Sequence, residues 1–103
     1  MTADPAASNR LTLAARLVRQ GKARYTPAGL LVQEFGFRYA GTVVEAMVER
    51  QLDFEFDAVA VGEIAARLAR ITLGTPLRLT GFVAPASRRS TRLRIHVTEY
   101  RTD

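Results

Sequence analysis

Cysteine is absent from the 103-residue chain, which excludes disulfides and thiolate metal sites and gives no sign of an oxidising compartment. Tryptophan is absent too, and histidine occurs only at His96 and lysine only at Lys22. One imidazole and no thiol are too few ligands for a zinc site. General acid–base catalysis needs a positioned partner for that histidine, and none is evident. No Gly-rich loop of the P-loop or dinucleotide kind occurs. No apolar run approaches the roughly 20 residues that span a bilayer, and the opening MTADPAASNR lacks the apolar centre of a secretory leader. The expectation is a cytoplasmic protein that is not an enzyme and has no cofactor, no metal and no membrane contact.

Arginine is what the chain has in quantity. Fourteen of its fifteen basic residues are Arg, and the net charge is +5. The isoelectric point near 10.7 favours a polyanionic partner, although a GC-rich genome also enriches Arg. The charge is uneven. Between Glu45 and Asp57 five acids (Glu45, Glu49, Asp53, Glu55, Asp57) stand against Arg50 alone, whereas between Arg88 and Asp103 five arginines stand against Glu99 and Asp103. One molecule thus carries an acidic and a basic region, an arrangement suited to two partners or to self-association. Apolar residues make up 48% of the chain, enough for one folded core.

Periodicity organises the rest. Residues 1–8 read as a loose tail, and 9–103 as the folded unit. From Asn9 the apolar residues alternate: Leu11, Leu13, Ala15 and Leu17 against Arg10, Thr12, Ala14 and Arg16, a half-buried strand. Gln20 to Gly29 reads as a connection, with turn chemistry at Thr26-Pro27-Ala28-Gly29. Leu30 to Tyr39 is a second strand, where Gly36 suggests a bulge or bend. Ala40 to Arg50 reads as a loop, a frayed strand end or a helical turn. Gln51 to Val61 is a third strand, with Leu52, Phe54, Phe56 and Ala58 alternating with Asp53, Glu55 and Asp57. Gly62 opens a short helix to Ile71, with Ile64, Leu68 and Ile71 on one face. Pro76 to Val83 and Leu93 to Tyr100 complete five strands. The expected class is all-β: a five-stranded OB-fold barrel with a short helix between strands 3 and 4. Another small β-barrel with an incidental helical turn is the competing architecture.

The stretch GFVAPASRRSTRLRIHVTEY, Gly81 to Tyr100, carries the clearest functional signal. A loop holding Arg88, Arg89 and Arg92 leads into a strand that sets Leu93, Ile95 and Val97 against Arg92, Arg94 and His96. The planar guanidinium stays charged and can hold two phosphate oxygens at once, so the pattern fits a nucleic-acid backbone. It also fits a solvated edge hairpin whose charges prevent aggregation. Single-strand binding adds aromatic stacking to such a surface. The candidates are Tyr25, Tyr39 and Tyr100, each beside an Arg. Phe35, Phe37, Phe54 and Phe56 read as core, and Phe82 fits either face. The acids Asp53, Glu55 and Asp57 share a strand face, but a hard-cation site needs oxygens converging from a shaped loop, and a solvated face accounts for them.

Together NRL (Asn9 to Leu11), ARYTPAG (Ala23 to Gly29), FDAVAVGEIA, GFVAP (Gly81 to Pro85) and STRLRIHVTEY form an ordered set. In that set the chain from Asn9 to Tyr100 resembles the PriB family, primosomal replication protein N. The resemblance implies a homodimer of OB-folds that binds single-stranded DNA in replication restart and contacts the PriA helicase and the loader DnaT. It places Arg24 in a basic first connecting loop and Arg88, Arg89 and Arg92 in the loop between strands 4 and 5. On the third strand, where some members carry an outward stacking Trp, this chain has Asp53 and Glu55, which implies weaker DNA binding and more weight on the arginine loop. The candidate DNA contacts are therefore Arg16, Arg24, Tyr25, Arg38, Tyr39, Arg88, Arg89, Arg92 and Arg94. Two alternatives stand beside this reading. One is an adaptor that mainly binds the restart helicase, with only weak DNA binding. The other is an RNA-binding barrel of the cold-shock type, for which the outward aromatic cluster is not visible.

Overall fold

The computed structural model describes residues 8–102, so all but Ser8 of the expected tail lies outside the described residues. Five strands and one helix follow in the order β1 (Leu11–Tyr25), β2 (Leu31–Glu45), β3 (Val48–Val61), α1 (Glu63–Leu68), β4 (Pro76–Pro85) and β5 (Leu93–Thr102). They close a barrel in the spatial order β1-β2-β3-β5-β4, with β4 returning to β1. All pairings are antiparallel except β3 with β5, which meet in parallel at Ala58↔Ile95 and Val59↔His96. Closure removes the free sheet edge that the arginine-rich strand would otherwise present.

The alternating apolar rows point inward. Leu17 from β1, Phe35 and Phe37 from β2, Ala58 and Ala60 from β3, Leu77 and Leu79 from β4 and Val97 from β5 form one core. Ala65 and Leu68 of α1 are buried in the same cluster. Gly62 opens this helix at φ 84°, a conformation that a side chain would strain. Its N–H donates to the Leu31 carbonyl at 2.7 Å, tying the helix start to β2. The helix stops at Leu68, three residues earlier than its apolar spacing suggests; Arg70 and Ile71 then donate to the carbonyls of Arg67 and Leu68 in tighter turns.

Two segments read as connections are strand. Gln20 to Tyr25 extends β1: after register shifts at Val18 and at Gly21-Lys22, pairing resumes at Ala23↔Gln33, Arg24↔Val32 and Tyr25↔Leu31. Only Thr26 to Gly29 turns, closed by Gly29 N–H on the Thr26 carbonyl at 2.8 Å. Arg24 therefore lies on a strand, not in a loop. Ala40 to Arg50 is the outer part of a long β2–β3 hairpin, continuous to Glu45↔Val48. Its two-residue turn puts Ala46 and Met47 at φ 52° and 65°. Positive φ at both positions is the primed hairpin turn usually marked by Asn-Gly, whereas Ala and Met favour helix, so the local signal was misleading. The bulge expected at Gly36 lies opposite it, on β1, and β2 pairs with β3 without interruption. A Cβ at Gly36 would press on the Arg19 side chain, 3.0 to 3.1 Å away, so this glycine makes room for an arginine crossing β2.

Candidate nucleic-acid interface

A groove of about 710 Å³ crosses the outer side of the barrel. The extended end of β1 brings Lys22 and Arg24 to one wall, and β5 brings Arg94 and His96 to the other. Val32 and Val59 are buried yet stand apart from the barrel core. They lie with Val61 along this groove, which thus has an apolar floor and a cationic rim. One acid, Glu34, enters it and meets Arg94 loosely at 3.7 Å. Pro85 and Ala86 continue the wall into the loop between β4 and β5. That loop is closed by hydrogen bonds: Ala86 N–H donates to the Arg92 carbonyl at 2.9 Å, and Arg92 N–H to Ser90 Oγ at 3.0 Å. It leaves Arg88, Arg89 and Arg92 exposed.

Arg16 and Arg38 lie elsewhere. They face each other across β1 and β2 and line a separate hollow of about 410 Å³ beside Pro76. Arg16 Nη1 donates to the Gly74 carbonyl at 2.8 Å. Arg38 grips Asp53 with two parallel hydrogen bonds, 2.8 and 2.7 Å. The Asp53 carboxyl is held below its usual range, chiefly by the hydrogen bonds from Arg38, and the same contact raises Arg38 further. Arg19 pairs likewise with Asp57, and Arg50 with Glu45. The acidic row is thus largely neutralised by arginines of neighbouring strands, a pairing that sequence alone did not reveal because it depends on register.

The tyrosines divide as well. Tyr25, 71% exposed, ends β1 next to Arg24 and the groove. Tyr39 sits on the inward row, its ring 5.3 Å from that of Phe54 and folded over Gly41. Phe54, read as core, is 42% exposed, because the hairpin carries this row beyond the barrel. Tyr100 packs on the core, with the Arg67 guanidinium 5.9 Å above its ring. Of the nine candidates, the structure gathers Arg24 and Arg94 in the groove, with the three loop arginines following from its wall. Tyr25 lies beside it, and Arg16, Arg38 and Tyr39 lie apart. Sequence reasoning missed Lys22, whose segment reads as a connection, and left Phe82 undecided. The strand period alone would have turned Phe82 outward, opposite Leu77, Leu79 and Gly81.

A barrel of this strand order, with a helix between β3 and β4, defines the OB class. A family model described as "another single-strand binding protein family" matches residues 9–99. The chain is 36% identical over 101 residues to the replication restart protein PriB of Nitrosomonas europaea, spanning 95% of this chain and 94% of that one. It is 39% identical over 93 residues to PriB of Bordetella pertussis, spanning 90% and 87%. The solved structure of PriB from Ralstonia solanacearum matches with TM-score 0.83 at 38% identity, over 93% of this chain and 98% of that one. The single-stranded DNA binding protein of Thermus aquaticus shares the fold at 18% identity, with TM-score 0.68 over 92% of this chain and 50% of that one. The chain belongs to the PriB family of single-strand binding proteins, which are not enzymes.

Proposed function

We propose that the protein is a single-stranded DNA-binding accessory factor of replication restart, acting in the cytoplasm as a homodimer. The groove carries this reading: an apolar floor for bases, bounded by Lys22, Arg24 and Arg94 and continued by an exposed loop with Arg88, Arg89 and Arg92. The folded unit expected over residues 9–103 is the binding unit. Its arginines displace counterions from the strand, so affinity falls steeply with salt, and Tyr25 adds stacking at the groove mouth. Recruitment and stimulation of the PriA helicase, with DnaT as a further partner, complete the role. Fluorescence anisotropy of labelled single- and double-stranded oligonucleotides across a salt series tests it. Salt-dependent preference for the single strand is expected, and equal or absent binding rejects it.

A second reading, an adaptor for the restart helicase with little DNA binding, draws on the β2–β3 hairpin. Its tip exposes Val44, Met47 and Val48, with Met47 at 92%, an apolar end suited to a protein. A wild-type chain that binds the helicase but no oligonucleotide would favour it.

A further inference from the structure

Phe82 on β4 and His96 on β5 are register partners across the two strands. Their rings stack with centroids 4.7 Å apart and planes 12° from parallel. The strands approach closely here, since a Cβ at the neighbouring Gly81 would collide with the His96 carbonyl oxygen. Phe82 keeps 36% of its surface exposed. His96 lines both the cationic groove and a smaller cleft of about 210 Å³, bounded by Val61, Ile64 and Phe82. His96 therefore stands between two hollows that Val59 and Val61 also line, with Phe82 on the side of the smaller cleft and the groove cations on the other.

A partly exposed, stacked aromatic pair whose His96 lines the same groove as Lys22, Arg24 and Arg94 suits a ligand that is both planar and polyanionic. We propose that the Phe82–His96 pair is a base-stacking platform on which a nucleobase of a bound single strand lies while the adjoining phosphates follow the groove cations. This rests on the reading of the groove as a single-strand site. Every base has a π face, so the platform is tolerant of sequence. Burial, and secondarily the charge of Arg94, hold the imidazole below its ordinary pKa of 6.5, so at neutral pH His96 supports Phe82 as an uncharged ring.

The test compares a labelled thymidine oligonucleotide with an abasic phosphodeoxyribose strand of equal length. Wild type, Phe82→Ala and Phe82→Trp are titrated with both, and the last variant carries the chain's sole tryptophan. Phe82→Ala is expected to weaken thymidine-strand binding about 5- to 100-fold, with abasic-strand binding and the salt slope unchanged. Phe82→Trp is expected to keep its affinity and to lose fluorescence on the thymidine strand only. Equal losses on both strands, no loss on either, or an unquenched Trp would overturn the platform while leaving strand binding intact. A wild type that binds neither strand would overturn the reading of the groove, and the platform with it.

Discussion

At Gly81 a single methyl group would meet the carbonyl oxygen of the facing strand, and backbone cannot swing aside as a side chain can. Gly81→Ala should therefore cost about 3 kcal/mol or more, seen as a lowered urea midpoint at unchanged slope. His96, in the facing strand, sets a pH dependence. Its pKa is depressed, by burial first and by Arg94 second. Lys22, Arg24 and Glu34 are the other charged groups that line the same groove. With the folded-state pKa below 6.5, the unfolded chain takes up the proton first. Stability should fall as pH drops from about 6.5 towards the folded value and level off below it. Replacing His96 with Phe should remove that part of the decline, measured as the difference in urea midpoints between pH 7 and pH 5. Asp53 contributes separately and lower down: its pKa is depressed from 3.8, so its support is lost only as pH falls below that region.

Among the elements, the β2–β3 hairpin holds the clearest local strain, with Ala46 and Met47 in the left-handed region at φ 52° and 65°. The double change Ala46→Asn, Met47→Gly fits the turn and should add about 1 kcal/mol of stability, read from chemical denaturation. The same hairpin shows why part of the fold was legible and part was not. Leu52 to Ala58 alternates visibly because β3 has core on one side and solvent on the other. From Val44 to Gln51 neither face is covered, so no period is imposed on the residues and VVEAMVER resembles a helical turn. At the other end of β2, Gln20 to Tyr25 is strand because its partners Leu31 to Gln33 hold it, although Gly21 and Lys22 interrupt the ladder. The arginine loop was legible from charge density alone. The attachment of Arg38 to Asp53 was not, because it joins residues that share a face only in the observed register: Arg38 lies opposite Glu55, and Asp53 is its diagonal neighbour.

Across the whole molecule the charges sort themselves. The net charge of +5 does not sit as an acidic half against a basic half, because Arg38, Arg19 and Arg50 each hold an acid from Asp53, Asp57 and Glu45. The cations that make no ion pair among the described residues include Lys22, Arg24 and the loop arginines Arg88, Arg89 and Arg92. This distribution yields two opposed expectations for strand affinity. Changing Arg88, Arg89 and Arg92 together to Ala removes up to three phosphate contacts. It should flatten the slope of log K against log salt by up to roughly 2, at about 0.7 per contact on a single strand. Asp53→Asn instead releases Arg38 without adding a charge to the backbone path. If the strand reaches the hollow shared by Arg16 and Arg38, the slope should steepen by about 0.7; if it stays in the groove of Lys22, Arg24 and Arg94, the slope should not move. Anisotropy titrations of both variants across one salt series decide between these paths, because each predicts a different sign or size of change for the same strand. An unchanged slope in the triple variant would remove the loop from the binding surface.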